Sequence, residues 1–123
     1  MRVISRQVRL EYNSFYVAGS RNVDVPAPRA GQHHIASNDC INVGCRMWHD
    51  GEIRIEIGGA NDVVPVGKPR LDVMIATPHS EIVLFDANHP ELARWPVERR
   101  DTRVRVWTNH ATEPDYIQII VGA

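Results

Sequence analysis

The chain has 123 residues, of which 43% are hydrophobic and 24% charged, and its formal net charge is −1. These are ordinary values for a globular protein that buries a core without disulfides or metals, so we expect one domain over residues 1–123. The balanced charge argues against a nucleic-acid-binding protein, which normally has a basic face. The short apolar runs and the lack of a signal-peptide pattern predict a cytoplasmic protein without a membrane partner.

The first half of the chain predicts four strands. The last of them alternates apolar and polar residues strictly, which predicts one buried face and one wet face consisting of Glu52, Arg54 and Glu56. The turn signal His49-Asp50-Gly51 precedes this strand, so the sequence predicts a hairpin across residues 41–57. The four predicted strands are Arg6–Tyr12, Phe15–Ala18, Ile41–Trp48 and Glu52–Ile57.

The second half predicts four more strands and one short helix. Pro90–Trp95 could form a turn or two of helix, with a proline at its first position and Pro96 ending it. In the strand that follows, Arg103, Arg105 and Trp107 alternate with valines, which predicts a polar face opposite a buried one. The four predicted strands are Leu71–Ala76, Glu81–Asp86, Thr102–Thr108 and Tyr116–Val121.

Many short strands separated by Gly, Pro, Asn and Asp predict an all-β fold, an antiparallel β-sandwich of about six to eight strands with long loops and at most one short helix. The three long connections cover residues 19–40, 58–70 and 87–101. Connections of this length are typical of binding loops or disordered segments. In the first of them, the apolar residues Val23, Val25 and Ile35 suggest that the connection is held against the sheet as an additional edge strand.

The residues that could carry chemistry form no catalytic motif. The chain has no phosphate-binding loop, no dinucleotide fingerprint and no nucleophile elbow. Cys40, Cys45 and His49 supply only half of a zinc-site pattern. His33 and His34 are adjacent in the first long connection, and the remaining three histidines fall in separate predicted turns. A strand would place Cys40 and Cys45 on opposite faces, which makes a disulfide awkward. We therefore expect no enzyme, no metal site and no cofactor.

The two ends of the chain carry features of a known family. Val8–Val17 contains an alternating strand, a Tyr, a short polar step, and then an aromatic residue that opens a second strand. Arg103–Thr108 ends in Trp-Thr, and a polar loop then leads to the Tyr-Ile strand of Asp115–Val121. In these features the chain resembles the competence protein J family, small bacterial inhibitors of a DNA-entry nuclease.

The resemblance implies a cytoplasmic, all-β, non-catalytic binding protein of bacterial type, whose partner is a nuclease or a toxin protein. Nuclease clefts are basic because they hold phosphates, so an inhibitor is expected to present carboxylates to them. An exposed Trp is a typical anchor for a protein partner. The candidate partner-binding residues, chosen for expected exposure, are Asp50, Glu52, Glu56, Asp86, Glu91 and Trp107.

Two alternatives stay open from the residues alone. The first is a β-sandwich whose loops bind a small ligand, calcium or a sugar. It requires clustered acidic loops, whereas Asp24, Asp62 and Asp86 fall in different loops. The second is a metal-dependent enzyme that uses the loop histidines as ligands.

Overall fold

The computed structural model describes residues 2–122, which form two five-stranded β-sheets and a single turn of 3-10 helix at Trp48–Asp50. The first sheet has the strand order β1-β5-β10-β9-β6, and the second has the order β3-β4-β2-β7-β8. The strands in chain order are β1 (Val3–Val8), β2 (Ser14–Ala18), β3 (His34–Ala36), β4 (Cys40–Gly44), β5 (Ile53–Gly59), β6 (Lys68–Ala76), β7 (Glu81–Phe85), β8 (Ala93–Pro96), β9 (Asp101–Thr108) and β10 (Tyr116–Val121).

The core lies between the two sheets and takes side chains from both. Phe15 and Ile41 come from the second sheet, whereas Ile57, Val106 and Ile119 come from the first, and all are almost completely buried. Each fully buried branched side chain contributes about 1.5–3 kcal/mol relative to an exposed one. One shared core therefore holds the two sheets together in a sandwich-like arrangement.

A segment of the first long connection packs over the outer face of the second sheet. Val23 lies against a small apolar cluster that includes Cys40 and Phe85. The side-chain amide of Asn42 donates to the carbonyl oxygen of Pro26 at 3.0 Å. This face of the second sheet is thus partly covered. The additional edge strand expected in this connection is present as β3, at the edge of the same sheet, and it contains Ile35 but neither Val23 nor Val25.

The all-β class and the two-sheet architecture are confirmed, but residues 2–122 form ten strands rather than six to eight. The two strands beyond the eight predicted ones are β8 and the edge strand β3. The predicted helix at Pro90–Trp95 is wrong, because Ala93 and Trp95 alternate inward in β8 and pair with β7. Across residues 2–122, no helix is long and apolar enough to cross a bilayer.

The predicted hairpin across residues 41–57 is also wrong. β4 belongs to the second sheet and β5 to the first, so the intervening segment crosses between sheets. β5 instead pairs antiparallel with β1 and parallel with β10. The hairpin predicted at the C-terminal end is confirmed, because β9 and β10 pair antiparallel with Val106 opposite Ile119.

Candidate functional site

Three loops meet at one end of the two sheets. The backbone N–H of Cys45 donates to the carbonyl of Asn13 at 2.8 Å, and the N–H of Arg46 donates to the carbonyl of Pro114 at 3.0 Å. These bonds tie the segment after β4 to the loop before β2 and to the loop between β9 and β10. We call this surface the loop end, and it comprises residues 9–13, 45–52 and 109–115.

The loop end is acidic although the chain as a whole is almost neutral. It contains five carboxylates and two arginines, which gives three net negative charges when histidine is neutral. Since the whole chain carries −1, the remaining residues together carry +2. The carboxylates are those of Glu11, Asp50, Glu52, Glu113 and Asp115, and the arginines are Arg9 and Arg46.

Two aromatic side chains are exposed on the same surface. Trp48 is 47% exposed and Tyr12 is 59% exposed. Trp48 begins the 3-10 turn, which Gly51 ends with a φ of +129° and an N–H that donates to the Trp48 carbonyl at 3.3 Å. Tyr and Trp are enriched in protein interfaces, where they bury large areas at little entropic cost. Trp48 and Tyr12 thus lie exposed among the carboxylates of the loop end.

The loop-end carboxylates differ in how far they are already paired. Asp115 lies 3.5 Å from the guanidinium of Arg46, and Asp50 lies 3.8 Å from the imidazole of His49. In residues 2–122, the carboxylates of Glu52 and Glu113 accept no hydrogen bond and join no ion pair. These two exposed charges are therefore free to meet a partner.

The predicted site residues Asp50 and Glu52 lie exposed on the loop end. Glu91 is also exposed, but its carboxylate is held by Arg94 at 2.7 Å, and Arg94 also binds Glu81 at 2.8 Å. An exposed pair of this kind contributes little to the stability of the fold, because water and salt screen it. Asp50 and Glu52 thus share a surface, whereas Glu91 belongs to a separate ion-pair group.

Glu56 was expected on a wet strand face, and that expectation is wrong because the residue is only 9% exposed. Its carboxylate accepts hydrogen bonds from Tyr116, Gln118 and Arg54, each at 3.1 Å. Gln118 also accepts from the N–H of Val66 at 2.7 Å, which holds the segment after β5 over this face of the first sheet. The buried carboxylate of Glu56 therefore has a structural role. Burial is the largest cause of the raised pKa of Tyr116, and the negative charge of nearby Glu56 contributes after it.

Asp86 was also expected to be exposed, and the structure buries it to 5% exposure. One carboxylate oxygen accepts from the N–H of Asn88 at 3.1 Å and from both the N–H and the imidazole Nδ1 of His89, at 2.6 and 2.8 Å. A side chain that closes the turn after its own strand is typical of aspartate. The turn after β7 therefore explains the burial of Asp86.

Trp107, the last predicted site residue, is half-buried on the outer face of β9 and does not belong to the three loops. Sequence reasoning missed Glu11, Glu113, Tyr12 and Trp48 as members of one surface. A local signal existed for Glu113, which falls in the polar loop of a predicted hairpin. The local sequence does not predict that this loop lies beside residues 45–52, because the contact depends on the pairing of β5 with β10.

The cysteines do not have the properties of catalytic nucleophiles. Both are free thiols, Cys45 in the shared core and Cys40 in the small outer cluster of the second sheet. Burial raises the pKa of each thiol to about 12, so neither is a thiolate near neutral pH. Among residues 2–122, no three His, Cys, Asp or Glu side chains are grouped closely enough to hold a metal ion.

The fold and the loop end define an all-β protein of two packed sheets with an acidic, aromatic surface at one end. No protein-family model and no curated protein sequence matches the chain. A solved structure that does match is described as the crystal structure of ComJ, inhibitor of the DNA degrading activity of NucA, from Bacillus subtilis. The TM-score is 0.72, the match covers 98% of this chain and 95% of that chain, and 12% of the residues are identical. The expected resemblance to the competence protein J family is thereby confirmed in the fold.

Proposed function

We propose that this protein is a non-catalytic binding module of one domain over residues 1–123, which inhibits a nuclease or a similar toxin in the bacterial cytoplasm. Two findings support the proposal. ComJ, which shares the fold over nearly the whole chain, is an inhibitor of a DNA-degrading activity. The observation that carries the proposal for this chain is the loop end, which gathers three net negative charges on an almost neutral protein.

The chemistry of the loop end fits the basic surface that a nuclease offers to DNA. Carboxylates such as Glu52 and Glu113 can take the places of phosphates beside lysines and arginines of a cleft. Complementary charge also raises the rate of encounter between the two proteins. The exposed rings of Trp48 and Tyr12 would then supply the desolvated contact area that keeps the complex together. Inhibition follows because the bound module excludes DNA from the cleft.

The test is an inhibition assay with a named enzyme. The purified protein is added to the nuclease encoded nearest to its own gene, with NucA as a second enzyme, and the rate of DNA degradation is measured. We expect the rate to fall with increasing protein and to recover when excess DNA competes for the cleft. Unchanged degradation by both enzymes at micromolar protein would contradict the proposal.

A variant pair assigns the effect to the loop end. Trp48→Ala removes an exposed ring from the loop end, and we expect it to weaken inhibition by about tenfold or more, as for an interface anchor. Met74→Ala removes a comparably exposed side chain from β6 and is expected to leave inhibition unchanged. Equal loss in both variants would show that the loop end is not the contact surface.

A further inference from the structure

A groove of about 380 Å³ crosses the outer face of the first sheet, between β6 and β9. The strict alternation of β9 places Arg103, Arg105 and Trp107 side by side on this face. β6 has an irregular register between Pro69 and Leu71, which adds Arg70 to the groove. We call this surface the arginine groove, and it is lined by Arg70, Leu71, Asp72, Arg103, Arg105 and Trp107.

The arginine groove has more positive charge than the chain neutralises. Its one carboxylate, Asp72, binds Arg103 through two hydrogen bonds of 2.8 and 2.6 Å. The Nε of Arg70 donates to the hydroxyl of Thr108 at 2.8 Å, on the buried face of β9, so this guanidinium does not add to the charge of the groove. Within residues 2–122, Arg105 has no carboxylate within ion-pair distance. The guanidinium of Arg105 is therefore uncompensated.

Two hydrogen-bond donors in the same groove are shielded from water but have no acceptor. These are the Nε of Arg105 and the indole Nε1 of Trp107, both buried and both without a hydrogen-bond partner. Buried donors in proteins are almost always paired, so each exception calls for an explanation. Arg105 and Trp107 are two residues apart on one strand face, so both donors belong to the same groove.

We propose that the arginine groove binds a carboxylate side chain from an acidic segment of a protein partner. A carboxylate offers two oxygens in the planar geometry that a guanidinium recognises. The exposed ring of Pro69, which lines the groove and lies opposite Trp107 in the strand pairing, provides an apolar contact for the neighbouring residue of the segment. The negative charge of the loop end repels a nucleic-acid backbone, which favours a protein partner over DNA or RNA. The proposed site is opposite in charge to the loop end and does not depend on its function.

The test is a titration followed by NMR of the side-chain N–H groups. The probe is a short blocked peptide that alternates glutamate with leucine, and its control is the same peptide with glutamine in place of glutamate. We expect the glutamate peptide to shift the indole N–H of Trp107 and the Nε–H of Arg105 to saturation, while the indoles of Trp48 and Trp95 stay in place.

Two variants keep the result interpretable. Arg105→Gln should weaken binding of the glutamate peptide by about tenfold, as expected when one partner of an interface charge pair is removed. Trp107→Phe keeps an aromatic ring but removes the indole N–H, so it should weaken binding without loss of the fold. Arg29→Gln makes the same charge change on an exposed residue of the first long connection, outside the groove, and should bind like the parent protein.

Several outcomes would overturn the proposal. Equal binding of the glutamine peptide would show that the groove recognises apolar residues and not carboxylate. Tighter binding of a DNA duplex would identify a nucleic-acid site, and equal shifts with inorganic phosphate would identify a non-selective anion site. Equal weakening in Arg29→Gln would mean that overall charge, not the groove, attracts the peptide.

Discussion

Neutralising the loop end should slow the association of the protein with the nuclease that it inhibits. The double variant Asp50→Asn, Glu52→Gln removes two negative charges from a surface with three net negative charges, and it changes no side-chain volume appreciably. Both residues are exposed, and neither forms a close hydrogen bond that the fold needs. We therefore expect the change to act on the encounter and not on stability.

The size of the effect follows from the charge. Electrostatic steering accelerates association by about 10- to 1000-fold at low salt, and we take about 100-fold for the intact surface. The logarithm of the acceleration scales with the charge of the surface, so removal of two of three net charges leaves about fivefold. The association rate constant should thus fall about twentyfold at low salt. Above about 0.5 M salt the Debye length is only a few Å and the difference should vanish.

The assay is stopped-flow measurement of association over a range of salt concentrations. The matched control is Asp24→Asn, Glu98→Gln, which removes the same charge from two exposed residues outside the loop end. The control should associate almost as fast as the parent protein. The reasoning is refuted if both double variants slow association equally, or if the loop-end variant shows the parent protein's full dependence on salt.

Three further predictions concern the fold. Burial is the largest cause that lowers the pKa of His34 from 6.5 to about 4. Between those pH values only the unfolded chain takes up this proton, so the free energy of unfolding should fall as the pH drops through the window. The expected decrease is about 1–2 kcal/mol, after discounting for the partial exposure of the side chain. Denaturant unfolding should show a smaller decrease for His34→Gln, and an equal decrease would contradict the assignment. Gly67 and Gly31 both have positive φ, but a Cβ at Gly67 would collide with a carbonyl of β9, whereas one at Gly31 meets nothing. Gly67→Ala should therefore be about 1–3 kcal/mol less stable than Gly31→Ala. Equal stability of the two variants would refute the close approach of Gly67 to β9. A thiol reagent at pH 8 should label Cys40 and Cys45 only after denaturation, and rapid labelling of the native protein would show that the thiols are not buried.

The strands of the first sheet could be predicted where the pattern is local. In β9 the alternation assigns Val104 and Val106 to the core and Arg105 to the outer face, and the structure agrees. Strand pairing could not be predicted in the same way, because it depends on residues far apart in the chain. β5 follows β4 after a good turn signal, yet it pairs with β1 and β10.

The candidate site shows the same division between local and long-range information. Exposure of Asp50 and Glu52 follows from a turn signal beside them and could be predicted. Burial of Glu56 could not, since the segment that covers it is held by hydrogen bonds to Gln118 on another strand. The acidity of the loop end is likewise a property of three loops that only the fold brings together.

The most direct test of the central claim, that the loop end is the surface that meets the nuclease, is amide hydrogen exchange of the protein alone and in its complex. The account predicts slower exchange on binding in residues 45–52 and 109–115, with the segment over the second sheet unchanged. Protection confined to the outer faces of the two sheets, with the three loops exchanging as in the free protein, would contradict it.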